Sequence, residues 1–126
     1  MLYTGTFEAY QGLDLLFAAM AIVQRARPDA RLVLAGGQSG PGGERARARR
    51  ARRASTTVTV FAGERPAAEI PAYLLAADLL VSPRSRGTNT PLKIYQHLRS
   101  GKAIVATRLL THTQVLSATR PRFSPA

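Results

Sequence analysis

Cysteine is absent from this chain of 126 residues, so it has neither a disulfide framework nor a thiolate metal site. Tryptophan is absent too. Histidine occurs only at His97 and His112, and no acidic cluster joins them. A dedicated metal centre is therefore not expected. No apolar run is long enough to span a bilayer. The start, MLYTGTFEAY, has no basic segment followed by a long apolar one, so it does not read as a signal peptide. The scarcest charge is negative: seven acids stand against 18 bases, a net charge of +11. These readings suit a cytoplasmic protein, at most attached to the inner face of a membrane.

The hydrophobic fraction is 45% and the charged fraction 20%, a composition that folds as one globular domain. The positive balance favours anionic partners such as phosphates, nucleic acid or an anionic membrane. A GC-rich coding bias would also produce arginine-rich, alanine-rich sequence.

Short apolar runs alternate with helical patterns along the chain. Leu2 to Phe7 reads as a strand ending in a glycine turn. Leu13, Leu16, Phe17 and Met20 recur at helical spacing, with Leu15, Ala19, Ile22 and Val23 widening the stripe. Pro28 closes that helix. Strands follow at residues 31–35, 57–62, 78–82 and 103–107, with helices expected over 44–54, 67–77, 91–100 and, weakly, 111–118. Five β-α units of this kind predict an α/β Rossmann-like parallel sheet of about five strands with helices on both faces. The domain is expected to fill residues 1–119, with a disordered tail at 120–126. Ligands of such sheets sit outside the carboxyl ends of the strands. Here those ends are the loops starting at Gly5, Gly36, Gly63, Pro83 and Thr107.

The loop RSRGTNTPLK carries the most chemistry. Thr88, Asn89 and Thr90 are candidate helix caps, and Pro91 suits the first helical position. Free amides at such a helix start attract anions. Lys93 in the first turn is electrostatically disfavoured unless an anion joins it. The pattern reads as a phosphate pocket, or else as a capped surface helix with a solvated lysine. The turn GTFEAYQG is not GxGxxG, and no acid ends the second strand, so dinucleotide binding is disfavoured. The run holding Arg45, Arg47, Arg49, Arg50, Arg52 and Arg53 has no interleaved aromatics for base stacking. Nucleic acid is thus an improbable partner. A solvated helix face, or electrostatic contact with an anionic membrane through Arg45 to Arg53, fits better. No acid pair and no nucleophile motif forms a complete catalytic apparatus.

Three segments together carry a resemblance: GxFxxYxG at the start, AADLLVSPR in the middle and PLKxYxxLxSGKxIVAT near the end. They resemble the C-terminal, nucleotide-sugar-binding domain of glycosyltransferase family 4, the retaining enzymes of GT-B fold. The resemblance covers nearly the whole chain. It implies one half of a GT-B fold, a nucleotide-diphosphate sugar as donor substrate, hexosyl transfer with retention, and no further cofactor. It places donor contacts on Gly5, Thr6 and Gln11, and on Arg84, Thr88, Asn89, Thr90, Pro91, Leu92, Lys93 and Gln96. It also implies an N-terminal acceptor-binding domain that this sequence does not include, so the chain alone is expected to be inactive. Thr6 and Gln11 stand where many members carry Arg and Lys at the diphosphate. Thr88 and Gln96 stand where many carry two glutamates. A degenerate partner subunit, or a basic module that binds polyanions without catalysis, is the alternative reading.

Overall fold

The computed structural model describes residues 1–37, 43 and 59–116. In chain order the elements are β1 (Leu2–Gly5), α1 (Leu13–Ala26), β2 (Leu32–Gly36), β3 (Thr59–Gly63), α2 (Ile70–Ala76), β4 (Leu79–Ser82), α3 (Leu92–Arg99), β5 (Ala103–Ala106) and α4 (Leu110–Leu116). A 3-10 turn at Ala9–Gln11 precedes α1. The strands form one parallel sheet in the order β3-β2-β1-β4-β5. This is the expected α/β Rossmann-like architecture. The chain walks outward from β1 to β3, then crosses back to lay β4 against the other side of β1. The strand order reverses between β1 and β4, which opens a crevice at their carboxyl ends.

Alternation along each strand divides the core in two. Tyr3, Leu32, Leu34 and Val81 face α1, which seats Leu13, Leu16, Phe17 and Met20 on them. Each of these large side chains contributes roughly 1.5–3 kcal/mol by leaving water. Leu2, Ala35 and Leu80 face the opposite way and meet Leu74 of α2. Thr4 points to that second side as well, where His97 of α3 meets it. Helices therefore cover both faces of the sheet.

Several local expectations are corrected. Leu15 and Ile22 do not widen the buried stripe of α1; they are 54% and 67% exposed. With Ala19 they recur at i, i+4 and i+7 on the side away from Leu16 and Met20, so one helix carries two apolar stripes and only one meets the sheet. β1 stops at Gly5 rather than Phe7, because Gly5 takes φ +139° and turns the chain. The Phe7 ring then packs between Tyr3 and Phe61, with centroids 6.4 and 6.1 Å away. Helix α2 is shorter than expected at Ile70–Ala76, with Pro71 in its first turn, where a missing N–H costs nothing. The arginine-rich run at 44–54 and the tail at 120–126 lie outside the described residues. No helix among the described residues is long and apolar enough to cross a membrane.

Candidate functional site

The carboxyl ends of β1, β2 and β3 form one wall of a cleft, and α3 forms the other. The cavity is about 540 Å³, lined by Thr4, Gly5, Thr6, Gly36, Gly37, Glu64, Arg65, Pro66, Ile70, Lys93 and Gln96, with Ala35 at its base. Gly5 is required by this closeness. A Cβ there would lie 3.0 Å from the Tyr3 hydroxyl and 3.1 Å from Lys93 Nζ, on a backbone that L residues rarely adopt.

Lys93 dominates the cleft. Its ammonium donates to the Thr4 carbonyl at 3.1 Å and to Gln11 Oε1 at 3.3 Å. It lies 4.5 Å from the centre of the Tyr3 ring, a cation–π distance. Gln11 in turn donates from Nε2 to Thr6 Oγ1 at 3.3 Å. No carboxylate among the described residues pairs with Lys93. Burial pushes its pKa down to about 8, and the Arg84 charge adds to the effect. At neutral pH Lys93 is still mostly charged, held beside the start of a helix with no counter-ion among the described residues.

Arg84 is the second cation, 8% exposed just past β4. Its Nε donates to the Arg86 carbonyl at 2.7 Å. Its two terminal nitrogens donate to the Asn89 carbonyl at 3.0 Å and to Asn89 Oδ1 at 3.1 Å. The guanidinium stands 5.4 Å from the centre of the Tyr10 ring. Thr107 donates its hydroxyl to the Arg84 carbonyl, and Ser85 N donates to the Tyr10 carbonyl at 2.9 Å. These bonds tie the loops after β1, β4 and β5 together. Arg84, like Lys93, has no carboxylate partner among the described residues. Two part-buried cations that feel each other, beside a helix start that no side chain caps, are an arrangement whose chemistry suits a multiply charged anion.

The structure brings Gly5, Thr6, Gln11, Lys93 and Gln96 to this cleft or directly behind it. Arg84 and Asn89 form the second node. Thr90 instead donates to the Thr111 carbonyl at 3.2 Å, and Leu92 points to solvent at 81% exposure. Thr88 is exposed and lines no described cavity. Pro91 is the N-cap of α3 and not its first residue, and no side chain caps the helix. Asn89 and Thr90 are engaged elsewhere, which leaves the first amides of α3 without a side-chain acceptor. Glu64 and Arg65 also line the cleft, and Tyr3 lies under Lys93, yet no sequence motif marks these residues. The rule of carboxyl ends does point to the loops after Gly36 and Gly63 that hold Gly37 and Glu64.

Neither histidine faces the cleft as a free base. His97 is fully buried, with Nε2 3.3 Å from Thr4 Oγ1. His112 is fully buried too, with Nε2 3.0 Å from Ser82 Oγ and Nδ1 2.9 Å from the Thr107 carbonyl. Burial depresses both, His97 to about 4, with the Lys93 charge helping. A base whose folded pKa is lowered binds its proton better when unfolded, so stability falls as pH drops. From His97 the loss spans pH 6.5 to about 4 and totals on the order of 3 kcal/mol. His112 adds to it in the same direction. Urea unfolding at pH 7 and near pH 4 is expected to show this loss, and His97→Gln is expected to flatten it. An equal slope in the variant would assign the loss to other groups.

A family model described as glycosyl transferases group 1 matches residues 1–120. No curated protein matches the chain. The matched segment includes every strand of the sheet, the cleft at their carboxyl ends and both cationic nodes, so the chain belongs to the family of group 1 glycosyl transferases.

Proposed function

We infer that this cleft binds the diphosphate of a nucleotide sugar and that the chain is the donor half of a retaining GT-B glycosyltransferase. One observation carries the reading. Lys93 and Arg84 are held part-buried at the strand-order reversal, with no carboxylate among the described residues to neutralise either. A buried charge without a partner is costly, and a bound anion offsets the cost. Thr6 and Gln11 lack the charges that many relatives place here. Lys93 supplies a substitute, because its ammonium touches Gln11 and so sets a cation at the same wall.

In the transfer step the bond between the anomeric carbon and the diphosphate oxygen breaks, and the diphosphate keeps the electron pair. Lys93 and Arg84 favour the charge that collects there. The acceptor hydroxyl oxygen bonds to the anomeric carbon on the face the diphosphate leaves. Its proton goes to the departing phosphate oxygen. A second domain facing the cleft would hold the acceptor, and the chain by itself is expected to bind donor without transferring sugar.

Calorimetric titration of GDP and UDP tests the reading, with wild type beside Lys93→Ala. Saturable binding by wild type that weakens by at least about tenfold in the variant is the expected result. Equal binding by both proteins, or none by either, would remove the support.

A further inference from the structure

Lys93 lines one end of the cleft, and Glu64, next to Arg65, lines the other. Lys93 stands over the carboxyl end of β1, and Glu64 follows immediately after β3. β2 lies between, so the two walls are separated by two strand spacings, roughly 10 Å. The floor across that gap is low, for β1 and β2 end in the paired glycines Gly5 and Gly36, followed by Gly37, with only the small side chains of Thr4 and Ala35 below them. Substituents would collide there: a Cβ on Gly37 would lie 2.6 Å from the Phe7 ring. Arg65, the obvious partner for Glu64, is committed elsewhere. Its guanidinium donates twice to the Ala62 carbonyl, at 2.9 and 2.7 Å, and lies 3.8 Å from Glu69. Glu64 makes no hydrogen bond or ion pair among the described residues.

We propose that Glu64 is a specificity residue that selects guanine as the donor base. This rests on the diphosphate reading of Lys93 given above. With the diphosphate at Lys93, the glycine floor leads the nucleoside toward β3, and its base arrives beside Glu64. A carboxylate only accepts hydrogen bonds. Guanine offers two parallel donors, N1–H and the 2-amino group, which match the two carboxylate oxygens. Uracil offers one N–H between two carbonyls that repel a carboxylate. Adenine sets a ring acceptor beside its amino group on the same edge. The acid that has no partner among the described residues is thus satisfied by one base and opposed by the others.

The test titrates GDP, IDP, UDP and ADP against the full chain, Glu64→Ala and Lys93→Met, with thermal unfolding as a folding control. Wild type is expected to favour GDP over UDP and ADP by at least about tenfold, with IDP between, since it keeps N1–H and lacks the amino group. Glu64→Ala is expected to erase that order by weakening GDP alone. Lys93→Met is expected to weaken all four alike. If all four bind through Lys93 with no preference, or if Glu64→Ala weakens them equally, Glu64 does not read the base and the diphosphate reading stands. If none binds wild type, both readings fall.

Discussion

Gly12→Ala is expected to lose roughly 3 kcal/mol of stability, a large part of what a domain of this size has. Gly12 sits at φ +73°, closing the 3-10 turn and starting α1. An L side chain in that conformation costs about 1–2 kcal/mol. The larger part is steric. A Cβ on Gly12 would run into the Pro83 carbonyl, a backbone atom that cannot swing aside. Gly101 provides the comparison, for it has nearly the same φ, +70°, and open space around it. Gly101→Ala is expected to cost only about 1 kcal/mol. Urea unfolding of both variants separates strain from collision, and equal losses would rule the collision out. The site is involved as well. Pro83 leads into Arg84, and Ser85 bonds to the Tyr10 carbonyl, so pushing these loops apart moves the Arg84 node.

Lys93→Met is expected to gain stability while binding the ligand more weakly. Burial that moves an ammonium from 10.5 to about 8 disfavours its charged form by about 3 kcal/mol. Methionine fills similar space without charge. It forfeits the bonds to the Thr4 carbonyl and Gln11, which returns part of the gain. A net increase on the order of 1–2 kcal/mol remains. The pH dependence has a definite sign. The unfolded chain keeps the Lys93 proton up to 10.5 and the folded chain only to about 8. Wild-type stability therefore carries the full penalty below about pH 8 and rises between there and 10.5. The methionine variant lacks that rise. A variant that is less stable at pH 7 and keeps the rise would show that Lys93 is a structural cation. Stability given up at a site that gains affinity is the usual signature of a binding group.

Local pattern made much of this fold legible. The apolar runs ending in Gly5, Gly36 and Gly63 marked three strands, because an apolar run can extend only where both faces of a sheet are covered. The spacing of Leu13, Leu16, Phe17 and Met20 marked the buried stripe of α1. Long-range relations were hidden. Leu15 and Ile22 have the right residue type and a helical spacing, and only the position of the sheet decides that they face outward. The proline pattern starts α3 one residue early, because Pro91 suits both the N-cap and the first helical position. Lys93 and the loop after Gly5 were readable as candidate anion contacts. That the Lys93 ammonium reaches back 82 residues to Gln11 depends on β1 and β4 being neighbours, which no local motif encodes. Glu64 gave no signal, since an isolated exposed acid looks like any other until the cleft places it opposite Lys93.

The most direct test counts protons. A diphosphate bound at Lys93 would raise the pKa of its ammonium from about 8 toward the ordinary value. At pH 8 about half of the free protein carries the proton there, so binding should draw in roughly half a proton per nucleotide. Calorimetry of GDP binding in two buffers of different ionisation enthalpy reads that number. The expected result is an uptake near one half at pH 8, fading as pH falls to 7, and absent in Lys93→Met. Binding of equal strength with no proton uptake at pH 8 would place the diphosphate away from Lys93 and contradict the account.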